Sequence, residues 1–224
     1  MSAREVFGNE FYLSFPIPIY HRFYFSISLI YSTSKYFEYK SFQIMIILVD
    51  MDDVLADFDG GFLLKWREKY PDEFFIPMSE RQKFYMRDEY PPELLDKMTD
   101  LFTQKGFVAN LPLIRGGVEA VKNIKEKGHE VFICTSPMRQ YQNCVAEKYE
   151  WVEKNMGFDW TTKIVLSRDK TLIQGNILID DKPEVTGAVK PVWEHVIFDK
   201  SYNAHVNGQR RITWQNYQEV LKEL

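Results

Sequence analysis

The stretch Ile46-Ile47-Leu48-Val49-Asp50-Met51-Asp52-Asp53-Val54 puts two carboxylates directly after a run of four apolar residues. A fully apolar run of this length, ending in polar residues, predicts a strand that is buried on both faces of a sheet. Ligands of open α/β sheets bind beyond the carboxyl ends of such strands. We therefore expect Asp50 and Asp52 close together at the mouth of a crevice, where a cation or a proton separates their roles.

Short apolar runs alternate with helix-like segments through the rest of the chain. The helix-like segments repeat their apolar residues every three or four positions, whereas the runs are too short for helices. This alternation predicts an α/β fold, in which helices cover both faces of a parallel sheet. After a first strand that begins at Met45, the predicted strands are 131–134, 164–166, 177–179 and 195–198, and the predicted helices are 116–127, 141–155 and 213–224.

Roughly 50 residues separate the first two predicted strands, which is too long for a simple crossover. Apolar spacing predicts helices over 56–70 and 93–103. A third helix is predicted to start at Ser79, with Gln82 in the capping-box position. We interpret the segment as an inserted helical cap over 59–112. The core domain is then formed by 45–58 and 113–224.

Residues 1–44 differ from the rest of the chain, since they carry 13 of its 35 aromatic residues without a regular period. Their longest uncharged run, 23–34, has twelve residues, whereas a membrane-spanning helix needs about 20. We interpret residues 1–44 as an unstructured or non-native extension that precedes a start at Met45. The alternative is an aromatic-rich arm that packs on the core or on a partner.

The overall charge and the cysteines limit the function classes. The net charge of −4 argues against a nucleic-acid duplex or an anionic membrane as the main partner, but is compatible with a small phosphorylated ligand. Cys134 and Cys144 lack the spacing of a zinc site. Cys134 lies in an apolar run, which predicts a buried thiol and a reduced, cytoplasmic setting.

Polar residues follow each of the first four predicted strands, and in a parallel sheet these ends meet at one edge. Clustered carboxylates need a cation, and oxygen ligands favour Mg²⁺ over zinc. Hydroxyls and a lysine are donors that a phosphate would use. One carboxylate of the first pair can attack phosphorus while the other transfers a proton. Each motif alone has a simpler interpretation as a cap or turn, and it is their common order that favours a phosphate site. The residues are Asp50 and Asp52, Thr135 and Ser136, Lys170, and Asp180 and Asp181.

With these motifs in this order, the sequence resembles the haloacid dehalogenase-like phosphohydrolase superfamily and, within it, the 5′(3′)-deoxyribonucleotidases. The resemblance covers about residues 45–220. It implies a haloacid dehalogenase-like Rossmannoid parallel sheet, with helices on both faces and a small helical cap. The blocks that carry it are 50–58 (DMDDVLADF), 132–137 (FICTSP), 147–153 (EKYEWVE), 166–171 (LSRDKT), 178–182 (LIDDK) and 193–195 (WEH).

The resemblance also implies roles for individual residues. Asp50 is the expected nucleophile and Asp52 the general acid and base. Relatives often form dimers, so a homodimer is expected by analogy alone. The expected Mg²⁺ ligands are Asp50, the backbone carbonyl of Asp52, and Asp180, supported by Asp181. The expected substrate contacts are Thr135, Ser136, Arg139 and Lys170 for the phosphate, and Phe58, Phe84, Tyr85 and Phe102 for the base.

Two residues depart from the pattern of the family. Asp53 stands where the family usually has glycine, and its side chain adds a negative charge beside the expected phosphate site. Arg139 stands where relatives often carry lysine. His195, beside Trp193 at the start of a strand, is interpreted as a buried structural histidine.

We expect from the sequence a Mg²⁺-dependent phosphomonoesterase that acts on deoxyribonucleoside monophosphates through an aspartyl-phosphate. One alternative is a related phosphatase for another small phosphate ester, such as a ribonucleotide or a sugar phosphate. The other is a non-catalytic nucleotide-binding protein that kept the pocket, which Asp53 alone would favour.

Overall fold

The computed structural model describes residues 43–223. The predictions for residues 1–44, both the extension and the aromatic-rich arm, lie outside the described residues except at 43 and 44. Between Gln43 and Glu223, no helix is both long enough and apolar enough to cross a membrane.

A parallel sheet of six strands, in the order β3-β2-β1-β4-β5-β6, forms the centre of the described part of the chain. The predicted α/β fold with a parallel sheet is therefore confirmed. The last strand has only two residues and was not predicted. The strands are β1 (Ile46–Val49), β2 (Glu130–Thr135), β3 (Ile164–Leu166), β4 (Ile177–Asp180), β5 (Glu194–Phe198) and β6 (Arg211–Ile212).

Strand β1 lies between β2 and β4 and is buried on both faces, as its apolar sequence predicts. Ile47 and Val49 belong to one hydrophobic cluster, whereas Leu48 belongs to the cluster on the opposite face. Val49 pairs with a residue near the end of each neighbouring strand, and the amide of Asp50 donates to the carbonyl oxygen of Ile179 at 2.9 Å. This register brings the carboxyl ends of β1, β2 and β4 to one edge.

Helices α1 to α4 agree with four of the predicted helices, whereas the helix at the carboxyl terminus of the chain is shorter than predicted. The helix predicted over 213–224 spans only Tyr217–Val220, because Thr213 and Asn216 form a side-chain-closed turn before it. The helices are α1 (Phe58–Lys69), α2 (Leu95–Phe102), α3 (Gly117–Glu126), α4 (Tyr141–Met156) and α5 (Tyr217–Val220).

The helix predicted to start at Ser79 is wrong. Two single 3₁₀ turns, Met78–Glu80 and Met86–Asp88, stand in its place. The Glu89 carboxylate accepts from the backbone amide of Gln82 at 2.7 Å and so occupies the donor that the side chain of Ser79 would use in the predicted capping box. The limits of the cap over 59–112, and of the core domain over 45–58 and 113–224, stay predictions.

Candidate active site

The loop after β1 is a tight turn that presents its carboxylates at the edge of the sheet. The amides of Leu55 and Ala56 both donate to the carbonyl oxygen of Met51, at 2.8 and 2.9 Å. The amide of Met51 donates to Asp50 Oδ1 at 2.7 Å, which fixes the orientation of the Asp50 carboxylate. The backbone geometry of the turn therefore positions Asp50 before any ligand binds.

Three carboxylates and one lysine meet where β1 and β4 end. Oxygen atoms of Asp50, Asp180 and Asp181 all lie within 4.8 Å of one another. Lys170 reaches the group from the turn after β3: its Nζ lies 2.9 Å from Asp50 Oδ1 and 2.5 Å from Asp180 Oδ2. The predicted convergence of Asp50, Lys170, Asp180 and Asp181 at one edge is thus present in the structure.

The electrostatics of the cluster follow from its burial. Burial raises the pKa of Asp50 from 3.8 to about 6; Lys170 opposes the rise, and Asp180 and Asp52 add to it. Burial and the neighbouring Asp180 hold the pKa of Asp181 well above its usual value. Burial alone would lower the pKa of Lys170, but Asp180 and Asp50 raise it above its ordinary value. Lys170 therefore stays charged and only partly compensates the carboxylates.

The donor set fits a hard divalent cation. It consists of carboxylate oxygens without sulfur or imidazole, the ligand chemistry that suits Mg²⁺ rather than zinc. The raised pKa values of Asp50 and Asp181 have the sign expected for carboxylates that a cation would stabilise. Asp50, Asp180 and Asp181 can hold such an ion. The Asp52 side chain points elsewhere, to Lys148, so any contribution of Asp52 would come from its backbone, as the resemblance implies.

Lys148 is a site residue that the sequence analysis did not identify. Its Nζ lies 2.8 and 2.7 Å from the two carboxylate oxygens of Asp52 and 2.9 Å from Oγ1 of Thr135. The Lys148 side chain is only 1% exposed. A signal was present in the sequence: in α4, Lys148 lies four positions after Cys144 and three before Trp151, in line with the buried face.

A cavity of about 490 Å³ opens above the carboxylate cluster. Its volume is in the range of small-molecule sites. The four aromatic residues predicted to contact a base all line it, and so do Ser136 and Lys170. Phe58 and Phe102 come from the ends of α1 and α2, with ring centroids 6.1 Å apart. The aromatic residues are Phe58, Phe84, Tyr85 and Phe102.

Two of the predicted phosphate contacts lie outside the lining of the cavity. Thr135 is fully buried, and its hydroxyl oxygen accepts from Lys148. Arg139 is exposed before α4. Besides Lys170, three other cationic residues line the cavity: Arg87, Arg168 and Lys182. The phosphate-binding roles predicted for Thr135 and Arg139 stay predictions.

Asp53 is engaged within the fold. Its φ of 56° is in the left-handed region, which explains why a glycine is common at this position. Its Oδ1 accepts from the amide of Asp59 at 3.2 Å and lies 3.3 Å from Nζ of Lys200. Burial, and secondarily Asp59, hold the pKa of the Asp53 carboxyl well above its usual value.

His195 is partly buried against Trp193, with ring centroids 6.2 Å apart, and its Nε2 lies 3.4 Å from the carbonyl oxygen of Asp180. Burial lowers the pKa of His195, so the ring is neutral at pH 7. These contacts agree with its interpretation as a structural residue.

A family model and two human relatives that match this chain all indicate the same protein family. The family model described as 5′ nucleotidase, deoxy (Pyrimidine), cytosolic type C protein matches residues 44–224. The human mitochondrial 5′(3′)-deoxyribonucleotidase is 45% identical over 168 residues, which cover 73% of this chain and 74% of that protein. The human cytosolic-type enzyme is 40% identical over 185 residues, covering 78% and 92%.

A solved structure supports the fold independently. A haloacid dehalogenase family hydrolase from Deinococcus radiodurans, with bound phosphate and sodium, matches with a TM-score of 0.52 at 14% identity. The match covers 80% of this chain and 96% of that chain. At this identity the similarity establishes the haloacid dehalogenase-like fold and no more.

Proposed function

The chain belongs to the family of 5′ nucleotidase, deoxy (Pyrimidine), cytosolic type C proteins. On this premise we propose that it is a Mg²⁺-dependent phosphomonoesterase that hydrolyses deoxyribonucleoside monophosphates. Relatives at 40% and 45% identity are named 5′(3′)-deoxyribonucleotidases, so the chain is a phosphoric monoester hydrolase of this type. The substrate, the metal and the covalent intermediate are the proposed parts.

One observation carries the proposal. The nucleophile candidate Asp50 shares a cavity with a cation-compatible carboxylate cluster, with Lys170, and with a wall of aromatic rings. A phosphate ester of a nucleoside has the matching parts: an anionic group for the charged end and a flat base for the rings. Stacking on aromatic side chains contributes roughly 1–3 kcal/mol per base.

The residues of the site can divide the reaction into two steps. Asp50 Oδ attacks phosphorus, the bond from phosphorus to the ester oxygen breaks, and a proton from Asp52 goes to the leaving oxygen of the deoxynucleoside. The Asp52 carboxylate then takes a proton from water, whose oxygen attacks the aspartyl-phosphate. Inorganic phosphate leaves and the Asp50 carboxylate is regenerated.

The two buried lysines of the site and a bound cation have supporting roles in this reaction. Lys170, between Asp50 and Asp180, reduces the repulsion that the phosphate dianion would meet and can donate to its oxygens. Lys148 keeps the Asp52 carboxylate oriented. A bound Mg²⁺ would supply neutralisation of the phosphoryl oxygens.

A substrate panel tests the proposal. The full chain is assayed for phosphate release from dUMP, dTMP, dGMP, UMP and a sugar phosphate, first with Mg²⁺ and then with a chelator. We expect hydrolysis of the deoxynucleotides that requires Mg²⁺. Preferred hydrolysis of the sugar phosphate or of UMP would favour the alternative substrate class, and binding without any turnover would favour the non-catalytic alternative.

The cytoplasmic setting and the homodimer belong to the same proposal. Cys134 and Cys144 are both buried free thiols, as expected for a reduced compartment. Fractionation of the native protein tests its location, and light scattering of the purified chain tests its oligomeric state. Recovery with membranes, or a monomeric mass, would contradict the respective expectation.

A further inference from the structure

Tyr202 contacts the carboxylate cluster through Asp181. It lies in the turn Ser201–Asn203 after β5 and is 2% exposed. Its hydroxyl donates to Oδ2 of Asp181. The amide side chain of the neighbouring Asn203 donates to the carbonyl oxygens of Asp181 and Phe198, at 2.7 and 2.8 Å. The turn therefore holds Asp181 by both its side chain and its backbone.

The ring of Tyr202 faces the segment that carries the aromatic wall. Its centroid lies 5.9 Å from that of Phe84, with the ring planes at 75°. The guanidinium carbon of Arg81 lies 5.3 Å from the Tyr202 centroid, and Nη2 of Arg81 donates to the carbonyl oxygen of Phe84 at 3.2 Å. Oγ of Ser201 donates to the carbonyl oxygen of Met78 at 2.9 Å. The turn Ser201–Asn203 thus contacts Phe84 through the ring of Tyr202 and contacts the backbone of Met78 through Ser201.

A purely structural role would explain less of this arrangement. A buried tyrosine hydroxyl needs an acceptor, and any backbone carbonyl would satisfy it. In this chain the acceptor is a carboxylate of the cation-compatible cluster, and Tyr202 itself lines the cavity. One side chain therefore contacts both the charged end and the aromatic wall of the site.

We propose that Tyr202 is a positioning residue with two actions. Its hydroxyl orients the Asp181 carboxylate for a divalent cation, and its ring supports Phe84 where Phe84 meets the base of the substrate. The action of the ring rests on the proposed function. The action of the hydroxyl concerns cation binding alone and is tested without any substrate.

Calorimetric titration of the full chain with Mg²⁺, without nucleotide, tests the hydroxyl. Tyr202→Phe keeps the ring and removes the donor to Asp181. We expect its Kd for Mg²⁺ to rise about tenfold, the lower end of the effect of outer-shell partners on metal affinity. Equal affinity of Tyr202→Phe and the wild type, or no binding of Mg²⁺ by the wild type, would overturn this action.

Tyr217→Phe is the matched control. The Tyr217 hydroxyl is also an interior hydrogen-bonding group, since it accepts from side-chain amides of Asn123 and Gln218, both at 3.2 Å. Tyr217 is buried at 9% exposure but does not belong to the cavity lining. Its loss should leave the Kd for Mg²⁺ unchanged. An equal rise in Kd in both variants would mean that the loss of a buried hydroxyl, rather than the contact with Asp181, sets the affinity.

Kinetics at saturating Mg²⁺ test the ring. Tyr202→Leu removes both hydroxyl and ring, so its difference from Tyr202→Phe isolates the ring. We expect its KM for dUMP to rise about fivefold above that of Tyr202→Phe, within the range of base stacking, while KM for base-free deoxyribose 5-phosphate does not separate the two variants. Equal effects on both esters would overturn the action of the ring.

Two results remain decisive if part of the test fails. Turnover of neither ester by the wild type would refute the proposed function and the action of the ring together, while calorimetry on Tyr202→Phe still decides the action of the hydroxyl. If circular dichroism shows that Tyr202→Leu does not fold, Phe84→Leu replaces it: a selective rise in KM for dUMP supports the wall that Tyr202 contacts, and an unselective rise overturns it.

Discussion

Lys148 shows how one side chain can orient Asp52, the proposed proton donor. It contacts both oxygens of Asp52 and the hydroxyl of Thr135, and it is almost completely buried. Under the proposed mechanism, the Asp52 carboxylate would be free to rotate away from the leaving oxygen if Lys148 were absent. The contribution of a general acid depends on the distance between its proton and the leaving oxygen. We therefore expect the orientation of Asp52 to affect kcat more than it affects substrate binding.

The variant Lys148→Met tests this role. Methionine has a similar length without the charge, so the fold should persist. We expect kcat for dUMP to fall about 10²-fold, at the low end of what general acid–base catalysis contributes. Hydrolysis of 4-nitrophenyl phosphate should fall much less, because its phenolate leaves with little protonation. Equal losses with both substrates would show that Lys148 does not act through the proton donor.

The positive φ of Asp53 allows a matched pair of variants. Asp53→Gly and Asp53→Ala both remove the carboxylate, but only glycine adopts a φ of 56° without strain. We expect Asp53→Ala to be less stable than Asp53→Gly by about 1 kcal/mol, measured as the free energy of unfolding in urea. Equal stability of the two variants would show that this loop relaxes to another conformation.

At the scale of elements, helix α4 connects the core with the segment that precedes α3. Glu147, beside Lys148, accepts from the backbone amides of Gly106, Val108 and Ala109, at 2.5, 2.8 and 3.3 Å. Because one carboxylate accepts from three amides, it holds the segment 106–109 against helix α4. Glu147 and Lys148 therefore have different roles, although they are neighbours in the sequence. Glu147 binds the backbone of the segment 106–109, and Lys148 binds the Asp52 carboxylate.

The variants Glu147→Ala and Glu147→Gln test the backbone contacts. Alanine leaves buried amide donors without an acceptor, which costs about 1–3 kcal/mol for each group that water does not reach. We expect Glu147→Ala to lower the free energy of unfolding by about 3 kcal/mol and Glu147→Gln, which keeps one acceptor oxygen, by roughly half as much. Chemical denaturation measures both. A loss below about 1 kcal/mol for the alanine variant would contradict the contacts.

The sheet and its site edge were predictable from sequence, because their signals are local. Each strand is a short apolar run; Asp50 and Asp180 follow such runs directly, and Lys170 follows one after three residues. The segment 78–90 was not predictable in this way. Its backbone groups bond to Arg81 and Glu89 side chains rather than to a helix ladder, and the partners of Arg81 include Asp59, 22 positions away. Pairings over such distances leave no periodic pattern.

At the scale of the whole molecule, the described residues include a cluster of buried acids at one edge of the sheet, and this cluster predicts how stability depends on pH. The pKa of Asp50 is raised from 3.8 to about 6, and that of Asp181 is also raised, by burial first and by neighbouring carboxylates second. Both groups bind a proton more tightly in the folded than in the unfolded chain. The stabilising contribution of Asp50 is therefore present at low pH and is lost as the pH rises through about 6, and that of Asp181 changes in the same direction.

Thermal melting of the chelator-treated protein measures this dependence. We expect Tm to fall between about pH 5 and about pH 7, and Mg²⁺ to restore it at the higher pH. Asp50→Asn, which removes one of the titrating groups, should show a shallower fall. A Tm that rises over this interval, or that Mg²⁺ does not change, would contradict the electrostatic description of the cluster.

The central claim is that Asp50 attacks phosphorus while the groups around it neutralise charge and supply a proton. Asp50→Asn has nearly the same shape but no nucleophilic carboxylate, so it separates chemistry from folding. The most direct measurement is the release of phosphate from dUMP by the wild type and by this variant, with Mg²⁺ present and the fold checked by circular dichroism. The account predicts rapid release by the wild type and near-complete loss in the variant; undiminished release by a folded Asp50→Asn protein would contradict it.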